Sequence, residues 1–258
     1  MFQNLKAMLQ KRARNAVSWA IRRQLLSINP VDRALLLKHE LEKAHRAAYP
    51  PHPVYAEFDF DWFKYACMVQ TTLFYVDILP LLGEWLHRQP RGSTFRLLDV
   101  GGGSGSGAEF LAKLFWTFFT GYKISIDVLD VEDRFARFSP LLHDHISYKI
   151  GDVFELPDEA YDICLCSHTI EHVPKERAGE FINKVVQVSS RLAIFNAPYM
   201  ENPLIPVHRY TIDEAFLATL PSPSTRKIYK SLGWYIEGQP SECIVFTYEK
   251  PQEQGKQP

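Results

Sequence analysis

Three acidic side chains follow three predicted strands, where polar ligands bind to an open parallel sheet. Asp99 and Asp130 each end an apolar run, and Asp152 follows a shorter one. A short apolar run is typical of a strand buried in a parallel sheet, and the carboxyl ends of such strands form the ligand-binding edge. An ionised carboxylate only accepts hydrogen bonds. The spacing therefore predicts an edge that binds hydroxyl and amino groups.

A loop made almost entirely of glycine and serine, residues 101–107, follows the first of these acids. Glycine lets backbone N–H groups approach a ligand closely, and the helix formers after the loop predict a helix whose N-terminus faces the same place. Two local interpretations are a tight structural turn and the dinucleotide fingerprint of an NAD-dependent oxidoreductase, read from Gly103, Gly105 and Ala108. That fingerprint expects an acid about 20 residues on, whereas Asp130 lies 27 residues after Gly103. The spacing therefore argues against the oxidoreductase.

Histidines follow the fourth predicted strand. The segment from Ser167 contains His168, Glu171 and His172, and His208 follows a later strand. Histidine titrates near neutral pH, so His172, His168 and His208, in that order, are candidate general bases. The spacing His168-x-x-Glu171-His172 also matches the inverzincin zinc motif. That motif requires a helix, whereas this segment leaves a buried strand and runs into a proline, so the sequence predicts no metal site.

An alternating series of strands and helices positions these residues. The pattern predicts strands at 97–100, 124–129, 146–150, 161–166 and 191–196, helices at 109–120, 175–188 and 212–220, and two final strands at 233–237 and 243–248. Such alternation indicates an α/β fold, a Rossmann-like doubly wound sheet that is mostly parallel with an antiparallel last strand. The stretch from Leu73 to Leu86 is predicted as a buried helix, broken or kinked at Pro80.

Composition sets the class of protein. The 258 residues are 46% hydrophobic and 13% aromatic, with a net charge of −1, which is typical of a soluble globular protein. The lack of a basic excess argues against nucleic acid as a partner. No apolar run is long enough to span a membrane. The four cysteines have no paired or metal-type spacing, which favours a cytoplasmic location.

The N-terminal region differs from the rest of the chain. Residues 1–26 hold six basic side chains and no acid, and their apolar residues recur at three- and four-residue steps. Three interpretations are a helix docked on the domain, a helix on an anionic membrane surface, and an organelle presequence. The predicted organisation is an amphipathic helical region at 1–49, a helical aromatic-rich cap at 50–92, the binding domain at 93–250 and a tail at 251–258.

The order of these motifs, from residue 96 to about residue 248, resembles the class I S-adenosylmethionine-dependent methyltransferases, particularly the type 11-like group. The matching segments are Asp99–Gly105, Asp130, Gly151–Val153 and Asp162–Pro174. The resemblance implies S-adenosyl-L-methionine as the cofactor. Some similar methyltransferases hold a divalent cation through Glu-x-x-Glu-His at this loop, but here His168 replaces the first glutamate.

The resemblance also implies a role for each matching residue. The backbone of Gly101, Gly103 and Gly105 would approach the methionine and ribose, and Asp99 would orient the methionine amino end. Asp130 would accept from the ribose hydroxyls, with Asp127 or Glu132 as alternatives. Asp152 would bind the adenine amino group, with the Val153 N–H near a ring nitrogen. Ser167 and His168 would border the sulfonium.

These observations predict a methyltransferase whose helical N-terminal extension covers the active site. The acceptor would be an oxygen or nitrogen of a small or lipid-like molecule, a weaker inference from the aromatic and proline-rich segments 55–75 and 199–209. A methyltransferase fold that binds ligands without catalysis is the non-enzymatic alternative. The sequence does not indicate an oligomeric state.

Overall fold

A computed structural model describes residues 71–132, 136, 142, 145–236 and 239–251. The predicted helices of region 1–49, the first part of the 50–92 segment and nearly all of the tail lie outside these residues. Within them, no helix is both long and apolar enough to cross a membrane.

The described residues form seven strands and four α-helices. The strands are β1 (Thr94–Val100), β2 (Lys123–Asp130), β3 (Ile146–Ile150), β4 (Tyr161–Ser167), β5 (Ser189–Pro198), β6 (Thr225–Ile236) and β7 (Gln239–Glu249). The helices are α1 (Thr71–His87), α2 (Ser106–Thr117), α3 (Lys175–Val188) and the short α4 (Glu214–Leu217). Two single turns of 3-10 helix, Val153–Glu155 and Ile170–His172, follow β3 and β4.

The strands join in one sheet of order β3-β2-β1-β4-β5-β7-β6. Strands β1 to β5 pair in parallel, with Leu98 beside Cys164 and Cys166 beside Phe195. Strand β7 is antiparallel to both of its neighbours, β5 and β6. The predicted fold class, a doubly wound and mostly parallel sheet with an antiparallel last strand, is confirmed.

Each face of the sheet carries its own helices. Because side chains alternate along a strand, Leu97 points toward a core shared with α1 and α2, and Leu98 points toward a core shared with α3. Helix α3 buries one stripe, Ala178, Phe181, Ile182, Val185 and Val188, at the spacing of a helical face. Cys164, Cys166 and Cys243 are free thiols inside these cores.

Helix α1 confirms the buried helix predicted from Leu73 to Leu86, which the sequence expected to be broken or kinked at Pro80. It is not broken there, because it runs from Thr71 to His87 with the proline inside it. Leu81, Leu82 and Trp85, beyond the proline, are almost fully buried against the sheet, and this packing outweighs the loss of one backbone hydrogen bond. Polar contacts also hold the helix. Asn196 Nδ2 donates to the Phe74 carbonyl at 2.9 Å, and Ser231 Oγ donates to Asp77 at 2.6 Å.

Three other predicted boundaries need correction. The helix predicted at 109–120 begins at Ser106 because Gly105, in a left-handed conformation, caps it directly after the loop. The helix predicted at 212–220 is only the single turn α4. The strand predicted at 233–237 begins at Thr225.

Candidate functional site

The candidate site lies where β1, β2, β4 and β5 end. Along the chain the sheet grows outward from β1 through β2 to β3, and then resumes on the other side with β4 and β5. The loops after β1 and β4 therefore leave in opposite directions and open a crevice at the carboxyl edge. Thr169, after β4, lies against the glycine loop, with its hydroxyl 3.3 Å from the Val100 carbonyl.

The glycine loop has one position that faces open space. Gly101, Gly103 and Gly105 all have positive φ angles. A Cβ at Gly101 would meet Thr169, whereas a Cβ at Gly103, where φ is +55°, would meet no atom of the described residues within 4 Å. At Gly103, therefore, no side chain separates the backbone from the crevice, and the positive φ angle is one that glycine adopts readily.

Asp130 ties the glycine loop to the end of β2. Its Oδ2 accepts from the Gly103 N–H at 2.9 Å, and its Oδ1 accepts from the Glu132 N–H at 2.9 Å. On the opposite side of the loop, the Tyr148 hydroxyl donates to the Gly103 carbonyl at 2.8 Å. The side chain of Asp130 thus lies beside the bare position of the loop, where the sequence analysis expected a ribose-binding acid.

Asp99 is fully buried, and the Tyr75 hydroxyl donates to its Oδ1. Its Oδ2 accepts no hydrogen bond from the described residues. Burial raises the pKa of Asp99 to about 7, the hydrogen bond from Tyr75 lowers it, and the negative charge of Asp130 raises it again. The site therefore holds a carboxyl group with one oxygen unused. Sequence reasoning missed Tyr75, which precedes every motif.

Asp152, Val153 and Ser167 occupy the two flanks of this edge. Asp152 is exposed and caps the turn Val153–Glu155, because its Oδ1 accepts from the Phe154 N–H at 3.1 Å. Ser167 is buried at the end of β4, where its hydroxyl accepts from Asn196 Nδ2 at 3.3 Å. The structure places all three at the predicted edge, and their assigned roles stay predictions.

His168 is buried, with its Nδ1 3.3 Å from Glu171 Oε1 and its Nε2 3.5 Å from the Cys243 sulfur. Its backbone has a φ of 52°, and its ring stacks on Phe74 with the ring centroids 3.5 Å apart. Burial lowers the pKa of His168 to about 3, so the ring is neutral at physiological pH. A base with such a low pKa captures a proton poorly, so this environment disfavours the predicted role of His168 as a base.

Glu171, His172 and His208 converge, and one ligand atom from each lies within 4.8 Å of the others, close enough to share a metal ion. Glu171 is 1% exposed, and neither of its carboxylate oxygens accepts a hydrogen bond from the described residues. Burial raises the pKa of Glu171 to about 7. His172 is exposed, whereas His208 is buried.

Hydrogen bonds orient both histidines of this cluster. His172 Nδ1 lies 3.1 Å from the Val207 carbonyl, and His208 Nδ1 lies 2.6 Å from Glu201 Oε2. Because carbonyl and carboxylate oxygens accept, each ring donates from Nδ1. The other ring nitrogen, Nε2, takes no part in these two contacts, and in His208 it lies 3.9 Å from Glu171 Oε1. Sequence reasoning missed Glu201, since nothing in the local pattern links it to the turn after β4.

Comparison with known proteins gives a consistent assignment. Residues 98–194 match the family described as "Methyltransferase domain". A curated relative is the mitochondrial ubiquinone biosynthesis O-methyltransferase of Candida albicans, 34% identical over 83 residues. The match covers 31% of this chain and 25% of the length of the relative.

Solved structures show the same fold. Magnesium protoporphyrin IX methyltransferase from Synechocystis, solved with bound SAH, matches with a TM-score of 0.51 at 15% identity, over 83% of this chain and 97% of that one. An S-adenosylmethionine-dependent methyltransferase from Archaeoglobus fulgidus matches with a TM-score of 0.51 at 15% identity, over 75% of this chain and all (100%) of the other.

The matched segment runs from within β1 to within β5, so it contains the glycine loop, all three acids and the histidine-bearing turn. In this segment the chain therefore resembles a methyltransferase domain, and it shares the fold of the solved methyltransferase structures.

Proposed function

We propose that this chain binds S-adenosyl-L-methionine at the carboxyl edge of the sheet and catalyses transfer of its methyl group to an oxygen of a small-molecule acceptor. The observation that carries the proposal is the pairing of the open backbone at Gly103 with the unused buried oxygen of Asp99. A nucleoside with an ammonium group fits both features, since a position without a side chain leaves room for the sugar and a carboxylate pairs with an ammonium group.

The cofactor would supply an activated methyl group, whose bond to sulfur breaks as a bond to the acceptor oxygen forms, while the acceptor releases one proton. Asp130 would hold the ribose hydroxyls, and Val131, a residue that is 67% exposed beside Asp130, would cover a face of the adenine. The protein's main contribution to such a displacement is to position the two reactants. Oxygen is favoured over nitrogen by the similarity to an O-methyltransferase.

On the acceptor side, we propose that Glu171, His172 and His208 hold a divalent cation. Support comes from the convergence of the three side chains and from a buried carboxylate that accepts no hydrogen bond from the described residues. Two imidazoles and one carboxylate leave room for a further oxygen ligand, and an ion there would favour an ionised acceptor hydroxyl. The sequence predicted no metal site, because the zinc motif requires a helix and because His168 replaces the first glutamate of the Glu-x-x-Glu-His pattern. The remaining alternative is that His172 or His208 acts as a general base.

Two experiments test these proposals. Calorimetry of the full chain with S-adenosylhomocysteine should give one site per chain, and methyl transfer from labelled S-adenosylmethionine should favour hydroxylated acceptors over amines. Binding without transfer to any acceptor would support the non-enzymatic alternative.

The proposed cation is tested by Co²⁺ absorption spectra and by metal content, comparing the chain with its Glu171→Gln variant. Equal metal binding by both proteins would rule out a cation held by Glu171 and would leave the alternative in which His172 or His208 acts as a general base.

A further inference from the structure

We propose that Tyr75 is a cofactor-positioning residue, which fixes the Asp99 carboxylate so that its second oxygen faces the amino group of the bound cofactor. This inference rests on the proposed cofactor site and adds a residue from α1, outside the segment 98–194 that matches the family. Tyr75 would act through Asp99 and would not itself touch the cofactor.

The contact between Tyr75 and Asp99 is specific. The Tyr75 hydroxyl donates to Oδ1, whereas Oδ2 accepts no hydrogen bond from the described residues. Tyr75 is 1% exposed and Asp99 is fully buried, so no solvent competes for the carboxylate. A hydrogen bond at one oxygen restrains rotation of the whole carboxylate, and it therefore sets the direction in which the other oxygen points.

The surrounding backbone is arranged around the Tyr75 ring. A Cβ on Gly107, in the first turn of α2, would collide with this ring. Glycine is unfavourable in a helix by about 1 kcal/mol relative to alanine, and here it provides the space through which the ring reaches Asp99. A Cβ on Gly102 would in turn collide with the Asp99 carboxylate. Two residues without side chains thus border this contact from both sides.

Helix α1 is held where Tyr75 can make this contact. The Phe74 carbonyl accepts from Asn196 on β5, and Asp77 accepts from Ser231 on β6, both through buried side chains. Because Phe74 and Asp77 lie on either side of Tyr75 within one helical turn, these bonds fix the position of Tyr75 relative to the sheet. The position of the hydroxyl is therefore determined by β5 and β6 as well as by α1.

The test uses Tyr75→Phe in the full chain, which removes only the hydroxyl. The affinity for S-adenosylhomocysteine, measured by calorimetry, should fall about tenfold, as expected for one hydrogen bond to a charged group. In an Asp99→Asn background the same change should alter affinity less than twofold, because the carboxylate it positions is gone. Tyr122→Phe is the matched control, since its hydroxyl donates to the Leu86 carbonyl at 2.7 Å away from the site.

The pH dependence provides a second readout, which a purely structural role would not move. Cofactor binding needs ionised Asp99, and the Tyr75 hydrogen bond lowers its pKa. The other described titratable groups that face Asp99 are Asp130, the Cys166 thiol and Tyr148, and the variant leaves all three in place. In Tyr75→Phe the pH at which affinity reaches half its maximum should therefore rise.

An unchanged affinity in Tyr75→Phe, or an equal loss with and without Asp99, would overturn the inference. A wild-type chain that binds no S-adenosylhomocysteine would instead overturn the proposed function. If Tyr75→Phe unfolds, Gly107→Ala is the second variant, because its methyl group would displace the Tyr75 ring. It should also weaken S-adenosylhomocysteine binding, and a folded Gly107→Ala chain with unchanged affinity would overturn the inference.

Discussion

The cofactor side and the acceptor side of this crevice are built in different ways. On the cofactor side, Asp99, Gly103 and Asp130 lie on two adjacent parallel strands and the loop between strand and helix, and Gly103 donates directly to Asp130. On the acceptor side, Glu171 and His172 lie on a turn after β4, whereas His208 arrives on a separate loop after β5.

The side chains of the two sides are positioned by different kinds of contact. The sheet register fixes the cofactor side, because the pairing of Asp99 with Val128 also fixes the distance to Asp130 two residues on. The acceptor side depends on cross-loop contacts, such as the Arg209 N–H that donates to the Glu171 carbonyl at 2.9 Å. We therefore expect substitutions on the two sides to separate cofactor affinity from turnover.

The largest effect is expected on the acceptor side. His172→Ala should lower kcat by about a thousandfold, within the range for a lost catalytic proton or metal contact, because His172 is the exposed member of the cluster. The affinity for S-adenosylhomocysteine should stay within about threefold, since no described contact joins His172 to the glycine loop. Single-turnover kinetics and calorimetry measure the two quantities. Loss of cofactor affinity in this variant would show that His172 also contributes to the cofactor site, so the two sides would not be separable.

On the cofactor side, Asp130→Ala should weaken binding of S-adenosylhomocysteine by about a hundredfold. It removes an acceptor for the ribose and also the partner of the Gly103 N–H, and each hydrogen bond to a charged group contributes about 1.5 to 3 kcal/mol. Asp127→Asn is the control, because Asp127 lies on the same strand but bonds to Lys149 and Tyr161. Equal losses in both variants would refute the assignment of Asp130 as the ribose acid.

The same contrast explains what the sequence could predict. Strand β3 and helix α3 were predicted with the bounds that the structure shows, because each carries an uninterrupted apolar period. The start of β6 was missed, because this edge strand faces solvent and carries Arg226, Lys227 and Lys230, which read as a loop.

Contacts between residues that are far apart in the sequence could not be predicted either. The acids at the strand ends could be inferred because a parallel sheet aligns its carboxyl ends. The bond from Tyr75 to Asp99 and the approach of His208 to Glu171 join residues 24 and 37 positions apart. No periodic pattern encodes such a distance, since each contact depends on how a helix or loop packs after the sheet has formed.

The buried carboxylate of Asp99 makes a prediction about stability. Its pKa of about 7 in the folded chain exceeds the ordinary value of 3.8, so between these values the folded state binds more protons than the unfolded state. Stability without cofactor should therefore fall as pH rises from about 4 to about 7. Asp99→Asn should remove this part of the slope, changing the free energy of unfolding by about 2 kcal/mol between pH 5 and pH 7.5 relative to the wild type.

Urea unfolding of both proteins at the two pH values measures this difference. Contributions from Glu171 and His168 are present in both chains and cancel in the comparison. A wild-type curve parallel to that of Asp99→Asn would show that Asp99 is already ionised in the folded chain. The carboxylate of the cofactor side would then be ionised before the cofactor binds.

The smallest expected effect compares two glycines that both have open space around them. A Cβ would meet nothing within 4 Å at either Gly103 or Gly179, but only Gly103 has a positive φ. Gly179→Ala should stabilise α3 by up to about 1 kcal/mol and leave cofactor affinity unchanged. Gly103→Ala should destabilise the chain by about 1 kcal/mol through backbone strain and weaken S-adenosylhomocysteine binding about tenfold, because the methyl group enters the cofactor's space. Thermal unfolding and calorimetry separate the two effects. If Gly103→Ala is destabilised yet binds normally, the loop is a tight turn and the cofactor lies elsewhere on the edge.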